Sequence, residues 1–296
     1  MTNATGASAQ KFGSWRGLHF AALMAGNVAL ALGPWFVRMT DAGPVSAGFW
    51  RLVMALPLLA MLALYSGQKL TGYRPGVWLA IALAGVFFGL DIAAWHIGIG
   101  LTRLGNATLF GNSGSLVVMA WGLYALHRAP RRNEWLALIM AILGSAILLG
   151  RSLEIGRETL IGDLFCLTAG LLYAGYLLLL QKPRAGLGAW ALVFWSSLAG
   201  APVMLGIAVM LGEPVMPSQW WPLAALALLS QVIGQGLLIY ALRHVSALVF
   251  GLALLTQPAV AAALGWLAFG ETLVPLDLVG MAMVAAALAL ARPTQG

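Results

Sequence analysis

Two ionisable side chains stand where almost nothing else in this chain is charged. Asp91 is flanked by Gly89, Leu90, Ile92 and Ala93, and Arg51 follows Phe49 and Trp50. The remaining Lys, Arg, Asp and Glu lie at or beyond the edges of apolar stretches. A carboxylate inside a bilayer costs about 2.5–3.5 kcal/mol on insertion scales unless it is paired or hydrated. Asp91 is therefore expected to face an interior, where it could receive an ammonium group, take a coupling proton, or pair with Arg51. Trp95 is one helical turn further on the same face. An indole beside a carboxylate could hold the body of an amphipathic cation, with cation–π attraction adding about 0.5–2 kcal/mol; the competing role is a membrane-interface anchor. His96 falls about 140° around a helix from Asp91. It is expected at the outer mouth of a cavity or on the stripe with Gly85 and Gly89, whose GxxxG spacing permits close helix packing, and a gating or structural role suits it and Arg51 alike.

Neutral polar groups recur at helical spacing in other apolar runs. Thr108, Asn112 and Ser115 form one stripe, and Asn112 carries an amide that can donate to a carboxylate and accept from an ammonium. Gln231 and Gln235 are one turn apart. Tyr173 and Tyr176 would leave phenols unpaired if they faced lipid, so they are expected to point inward as cavity walls or helix glue. In Thr256-Gln257-Pro258 the proline frees a backbone carbonyl and bends its helix, offering a substrate-facing feature or a hinge. Asn27 and Pro34-Trp35 in the first run, and Trp195 and Ser196 in the seventh, are further candidates for lining or packing.

The elements that must position these groups follow from composition. The chain has 296 residues, 61% hydrophobic and 8% charged, against roughly 25% charged in soluble domains. Apolar runs occupy residues 18–39, 44–65, 76–99, 104–126, 133–150, 162–180, 189–211, 220–241, 247–269 and 275–291, each of about bilayer-spanning length. Placing the N-terminus inside assigns eleven Lys/Arg to one face and four (Arg38, Arg103, Arg151, Arg157) to the other. The positive-inside rule then makes both termini cytoplasmic in a multi-pass plasma-membrane protein, the bacterial inner membrane. The run from Leu18 is too long for the ~7–15-residue core of a signal peptide, and residues 1–16 read as a cytoplasmic tail. The +7 net charge is spread over short loops beside membrane lipid, which argues against nucleic acid as a partner. Cys166 is the lone cysteine, so no intrachain disulfide, cysteine metal site or cofactor is indicated.

The connection at residues 151–161 divides the runs five and five, giving units at 17–150 and 162–296. A slide of 143 residues sets Glu134 on Asp277, each opening a helix, and Trp95-His96-Ile97-Gly98 on Leu238-Ile239-Tyr240-Ala241. Because five is odd, the second unit must enter the membrane from the opposite side, as in an inverted repeat. The reading is an all-α membrane protein of ten transmembrane helices, arranged as two inverted five-helix repeats around a central cavity and working as a monomer.

Gly43-Pro44-Val45-Ser46-Ala47-Gly48-Phe49-Trp50-Arg51 resembles the start of the second helix in EamA-type transporters of the drug/metabolite superfamily. The punctuation Thr256-Gln257-Pro258, Gly270-Glu271 and Gly280 resembles the close of an EamA repeat. Within that superfamily the chain looks most like the YddG branch of amino-acid exporters, and YddG-like transporters place an aromatic near Tyr173 and Tyr176. The first half departs from the pattern, with Arg128 in place of an acid, Ala137 in place of a glycine, and no proline matching Pro258. The resemblance implies export of aromatic and other neutral or amphipathic amino acids, or related metabolites, by alternating access.

A drug exporter remains open, since hydrophobic cations would be content with Asp91 and aromatics. A sugar-phosphate carrier would want several cavity Lys/Arg, and Arg51 is alone. No P-loop is present; proton coupling and facilitated diffusion both stay open. In another class, Gly111-Asn112-Ser113-Gly114 resembles the GxSG of rhomboid serine proteases, whose nucleophile needs a histidine within reach. His96 lies about three residues from the outer helix end and Ser113 about nine, a depth mismatch of ~9 Å, so no enzyme is expected.

Overall fold

A computed structural model describes residues 17–102, 104–125, 131–150, 156–181, 183, 186–269 and 273–290. The tail 1–16, residues 151–155 of the central connection, Arg128, Gly270 and Glu271, and the side chains of Pro34, Arg38 and Thr108 lie outside them. The described residues are helical throughout, with no strand among them. Helices α1 (Gly17–Ala31) and α2 (Gly33–Met39) form the first rod, followed by α3 (Pro44–Tyr65) and α4 (Pro75–Leu101). Next come α5 (Leu104–Gly111) with α6 (Ser113–Ala125), α7 (Arg132–Gly150), α8 (Leu160–Leu179) and α9 (Ala189–Met210). The eighth rod joins α10 (Trp221–Ala225), a π-helical segment (Leu226–Gln235) and α11 (Gly236–His244). Helices α12 (Ala247–Leu254) and α13 (Gln257–Phe269) make the ninth, and α14 (Pro275–Leu290) the tenth. Gly17–Val37, Pro44–Tyr65, Pro75–Leu101, Leu160–Leu179, Ala189–Met210 and Trp221–His244 are long and apolar enough to cross a membrane. Ser113–Ala125, Ala247–Val260 and Pro275–Leu290 are shorter apolar helices.

Local chemistry sets the ends. Pro44, Pro75, Pro222 and Pro275 occupy first turns, where the missing N–H is no loss. Gly67 and Gly212, with φ of 68° and 67°, end α3 and α9. After each, the next backbone N–H (Gln68, Glu213) donates to a carbonyl five residues back (Ala63 at 2.8 Å, Ala208 at 3.0 Å), closing the helix through a left-handed cap.

Two rods break in mid-course. The fourth turns at Asn112, between Gly111 and Ser113. The ninth turns at Leu255-Thr256, just before Pro258 in the first turn of α13. Proline cannot supply the N–H that would continue α12, and Ser145 of α7 donates to the Leu255 carbonyl at 3.1 Å.

Glycines bring the helix axes together. A Cβ on Gly85 would lie 2.6 Å from the Ser196 carbonyl, and one on Gly89 2.8 Å from that of Gly200, so α4 meets α9 backbone to backbone as the GxxxG spacing predicts. Several neighbouring rods run antiparallel, and three such pairs join rods five apart in chain order. Gly144 of α7 meets Gly280 and Val284 of α14, while Gly280 meets Leu148. Gly122 of α6 meets Ala247 and Leu248, while Gly251 of α12 meets Ser115 and Met119.

The third antiparallel pair, α3 and α9, is clasped at both ends. Glu213, just past α9, accepts from the backbone N–H groups of Val45 (3.2 Å) and Ser46 (2.8 Å) at the start of α3. Trp50 Nε1 donates to the Val215 carbonyl at 2.7 Å. At the opposite end Gln68, just past α3, accepts from the Ala191 N–H at 3.0 Å, and Trp195 Nε1 donates to the Leu70 carbonyl at 2.9 Å. Glycine gives each clasp its room, since Gly43 packs against Glu213 and Gly188 against Gln68. Next to the first clasp, hydrogen bonds from Ser218 hold the Asp41 carboxyl below the usual carboxylate range.

Candidate functional site

A cavity of about 170 Å³ lies between both halves of the chain. Its wall takes Leu30 and Ala31 from α1, Arg51 from α3, and Phe88, Asp91, Ile92 and Trp95 from α4. The broken fourth rod adds Gly111 and Asn112, α8 adds Ala169 and Tyr173, the π segment adds Gln235, and the broken ninth rod adds Gln257. Both breaks thus reach the cavity, in line with irregular backbone being tolerated at membrane depth where it lines one.

Arg51 and Asp91 share this wall, and their charges feel each other across it, but no ion pair or hydrogen bond among the described residues joins them. Arg51 is instead fixed from behind. Its Nε donates to Gln231 Oε1 at 3.0 Å, Gln231 Nε2 donates to Ser197 Oγ at 2.9 Å, and Ser197 Oγ donates to the Val193 carbonyl at 2.7 Å. Because the serine proton is spent on Val193, Ser197 can only accept from Gln231, which turns the amide oxygen toward the guanidinium. The Asp91 carboxylate has no hydrogen-bond partner among the described residues and keeps partial access to the cavity. Trp95 lays its indole over Gly111, where a Cβ would stand 3.1 Å from Nε1.

Of the residues singled out from sequence, Asp91, Trp95, Asn112, Tyr173, Gln235, Gln257 and Arg51 meet at the cavity. The others stand behind its wall. Asn27 donates from Nδ2 to Thr256 Oγ1 (2.5 Å) and the Ala253 carbonyl (3.0 Å), and Thr256 also donates to Ala253 (2.6 Å). These bonds satisfy the backbone where the ninth rod breaks, with Pro258 buried just beyond. Tyr176 is fully buried, stacked on Phe88 at 4.6 Å, and accepts from Gln235 Nε2 at 3.1 Å. Gln231 serves Arg51. His96 is buried away from the cavity with Nδ1 2.5 Å from the Pro44 carbonyl. Ser113 Oγ has no hydrogen-bond partner among the described residues, so none of their histidines bonds to it. Ser196 donates to its own helix at Leu192 (2.6 Å), and Trp195 belongs to a clasp.

Sequence reasoning missed Ser197 and both clasp acceptors. The available signal was a slide of 145 residues rather than 143, which superposes Gly43, Trp50, Pro57, Gly67 and Gln68 on Gly188, Trp195, Pro202, Gly212 and Glu213.

Comparison with known proteins adds a family, two named relatives and a likeness of fold. The EamA-like transporter family model matches residues 17–150 and 160–292. Threonine/homoserine exporter RhtA of Escherichia coli (strain K12) is 29% identical over 242 residues, covering 81% of this chain and 79% of the relative. RhtA of Salmonella typhimurium (strain LT2) is 29% identical over 208 residues, covering 68% of each. A solved crystal structure superposes with a TM-score of 0.79 at 14% identity, covering 94% of this chain and 98% of that one, a likeness of fold.

Proposed function

The chain belongs to the EamA-like transporter family, and from that premise we infer that this multi-pass inner-membrane protein exports small zwitterionic amino acids. The observation that carries this reading is the unbridged pair on the cavity wall. Arg51 is oriented to meet a substrate carboxylate, and Asp91, which no described residue hydrogen-bonds, to meet an ammonium. A guanidinium and a carboxylate on one wall are complementary to a zwitterion, with Trp95 and the apolar wall taking its carbon frame. The volume of about 170 Å³ is small beside the roughly 300–1,000 Å³ of pockets that hold drug-sized ligands. That favours a small amino acid over a drug or a large aromatic substrate, in keeping with relatives named for threonine and homoserine. The test is uptake of labelled threonine, homoserine, alanine and tryptophan into proteoliposomes, with and without a pH gradient. Saturable transport of the small zwitterions is expected; transport of hydrophobic cations without any amino acid would reverse the assignment, and stimulation by the gradient would assign a coupling proton.

Alternating access between two inverted halves is the mechanism we attach to this reading. Its support is that α3, α6 and α7 each run antiparallel to the helix occupying the corresponding place in the other half. The two clasps, related by the same 145-residue slide, then lie at opposite membrane faces, Glu213 outside and Gln68 inside. Each ties one half to the other, so opening a face means releasing its clasp. Glu213→Ala removes hydrogen bonds to a charged group, worth about 1.5–3 kcal/mol, and should raise labelling of Ala31→Cys by outside reagent about tenfold or more. Gln68→Ala should act from the inside and more weakly, its acceptor being neutral. If both variants speed labelling from one face, the clasps are not gates.

A further inference from the structure

Two residues that line the cavity each carry a buried atom with no close hydrogen-bond partner among the described residues, the Tyr173 hydroxyl and Gln235 Oε1. Gln235 is fully buried, and its amide lies beside Tyr173 as well as Tyr176, yet its donor is committed to the Tyr176 hydroxyl at 3.1 Å. What remains is an orphan acceptor next to an orphan donor. Nearly all buried polar groups are paired in native structures, so such a pair calls for a ligand. The backbone is irregular at the same place, since Gln235 closes the π segment, and π turns inside helices frequently mark functional sites.

Resting on the zwitterion reading above, we propose that Tyr173 and Gln235 form a subsite that reads a hydroxyl group on the substrate side chain. A hydroxyl donates one proton and accepts through its lone pairs, so it can give to Gln235 Oε1 while receiving from Tyr173. An isosteric methyl does neither and leaves both protein atoms desolvated. Arg51 and Asp91 then hold what all amino acids share, and this pair selects among them.

Threonine and valine differ by this one exchange of hydroxyl for methyl. In proteoliposomes the wild-type protein should favour threonine over valine in kcat/KM by about tenfold or more, the penalty for leaving buried polar groups unpaired. Tyr173→Phe deletes a hydroxyl whose neighbouring donor, the Gln235 amide, is already bonded to Tyr176, so the fold loses little. It should bring the threonine-to-valine ratio to within about threefold of unity, as should Gln235→Met. A merely structural defect lowers both substrates together and leaves the ratio standing, which would overturn the subsite. Equal transport of threonine and valine by the wild type would also overturn it while sparing the zwitterion reading; transport of no amino acid at all would remove both.

Discussion

Asp91→Asn should lower export of zwitterionic amino acids by about ten- to a hundredfold, with thermal stability in detergent unchanged or higher. A hydrogen bond to a charged group is worth about 1.5–3 kcal/mol, at 1.4 kcal/mol per factor of ten, and an amide in this position meets the substrate ammonium without the full charge. The stability half of the expectation separates two roles that the sequence leaves open. Were Asp91 a structural partner of Arg51, its removal would strand a buried guanidinium, which costs about 3–5 kcal/mol when an ion pair is broken. The carboxylate instead has no partner among the described residues and faces the cavity. Replacing it by a neutral isostere relieves an unpaired charge. A folded variant with normal transport would remove Asp91 from the site; a variant that transports poorly because it melts early would return it to a structural role.

Helix positions were legible because their causes are local. The expected spans 44–65 and 189–211 match α3 and α9 to within one residue, since a proline or glycine opens each and a glycine in the left-handed region closes it. The break before Pro258 was equally legible, whereas the one at Asn112 has no proline and rests on close approach. Gly114 packs against Gly170 there, and contacts between distant segments leave no local trace.

The repeat was half legible. With a slide of 143, Glu134 and Asp277 accept from the N–H three residues earlier, Arg131 at 2.7 Å and Val274 at 3.0 Å, so they cap equivalent helices. The clasps obey 145 instead, and no single slide finds both because the third rod, Pro75–Leu101, is longer than the eighth, Trp221–His244. Helix rotation was the part least available. Charge inside apolar runs marked Arg51 and Asp91 as possible partners, but not that Arg51 would turn to Gln231. Four-residue spacing put Gln231 and Gln235 on one face, and the π segment carries one toward Arg51 and the other to the cavity.

Gln231→Glu should leave the protein folded, with an equal or higher melting temperature, and still raise KM for threonine about tenfold or more. The wild-type amide accepts from Arg51 Nε while remaining neutral, so the guanidinium keeps its whole charge for a substrate carboxylate. A carboxylate in the same place accepts the same hydrogen bond but neutralises the cation, and close buried pairs of this kind interact far more strongly than in water. The opposite edge of the side chain then presents an oxygen to Ser197, whose hydroxyl must turn from the Val193 carbonyl to donate, a rearrangement confined to one proton. The fixed charge of Arg51 and Asp91 taken together is zero, which suits a zwitterion, and the substitution makes it −1. Cationic amino acids such as lysine should therefore compete better in the variant than in the wild type. Gln231→Met is the control, because it strands the Arg51 N–H in the interior and should destabilise the fold by about 1–3 kcal/mol. If Gln231→Glu transports threonine with an unchanged KM, Arg51 does not bind the substrate carboxylate, and the charge-pair account of the cavity fails with it.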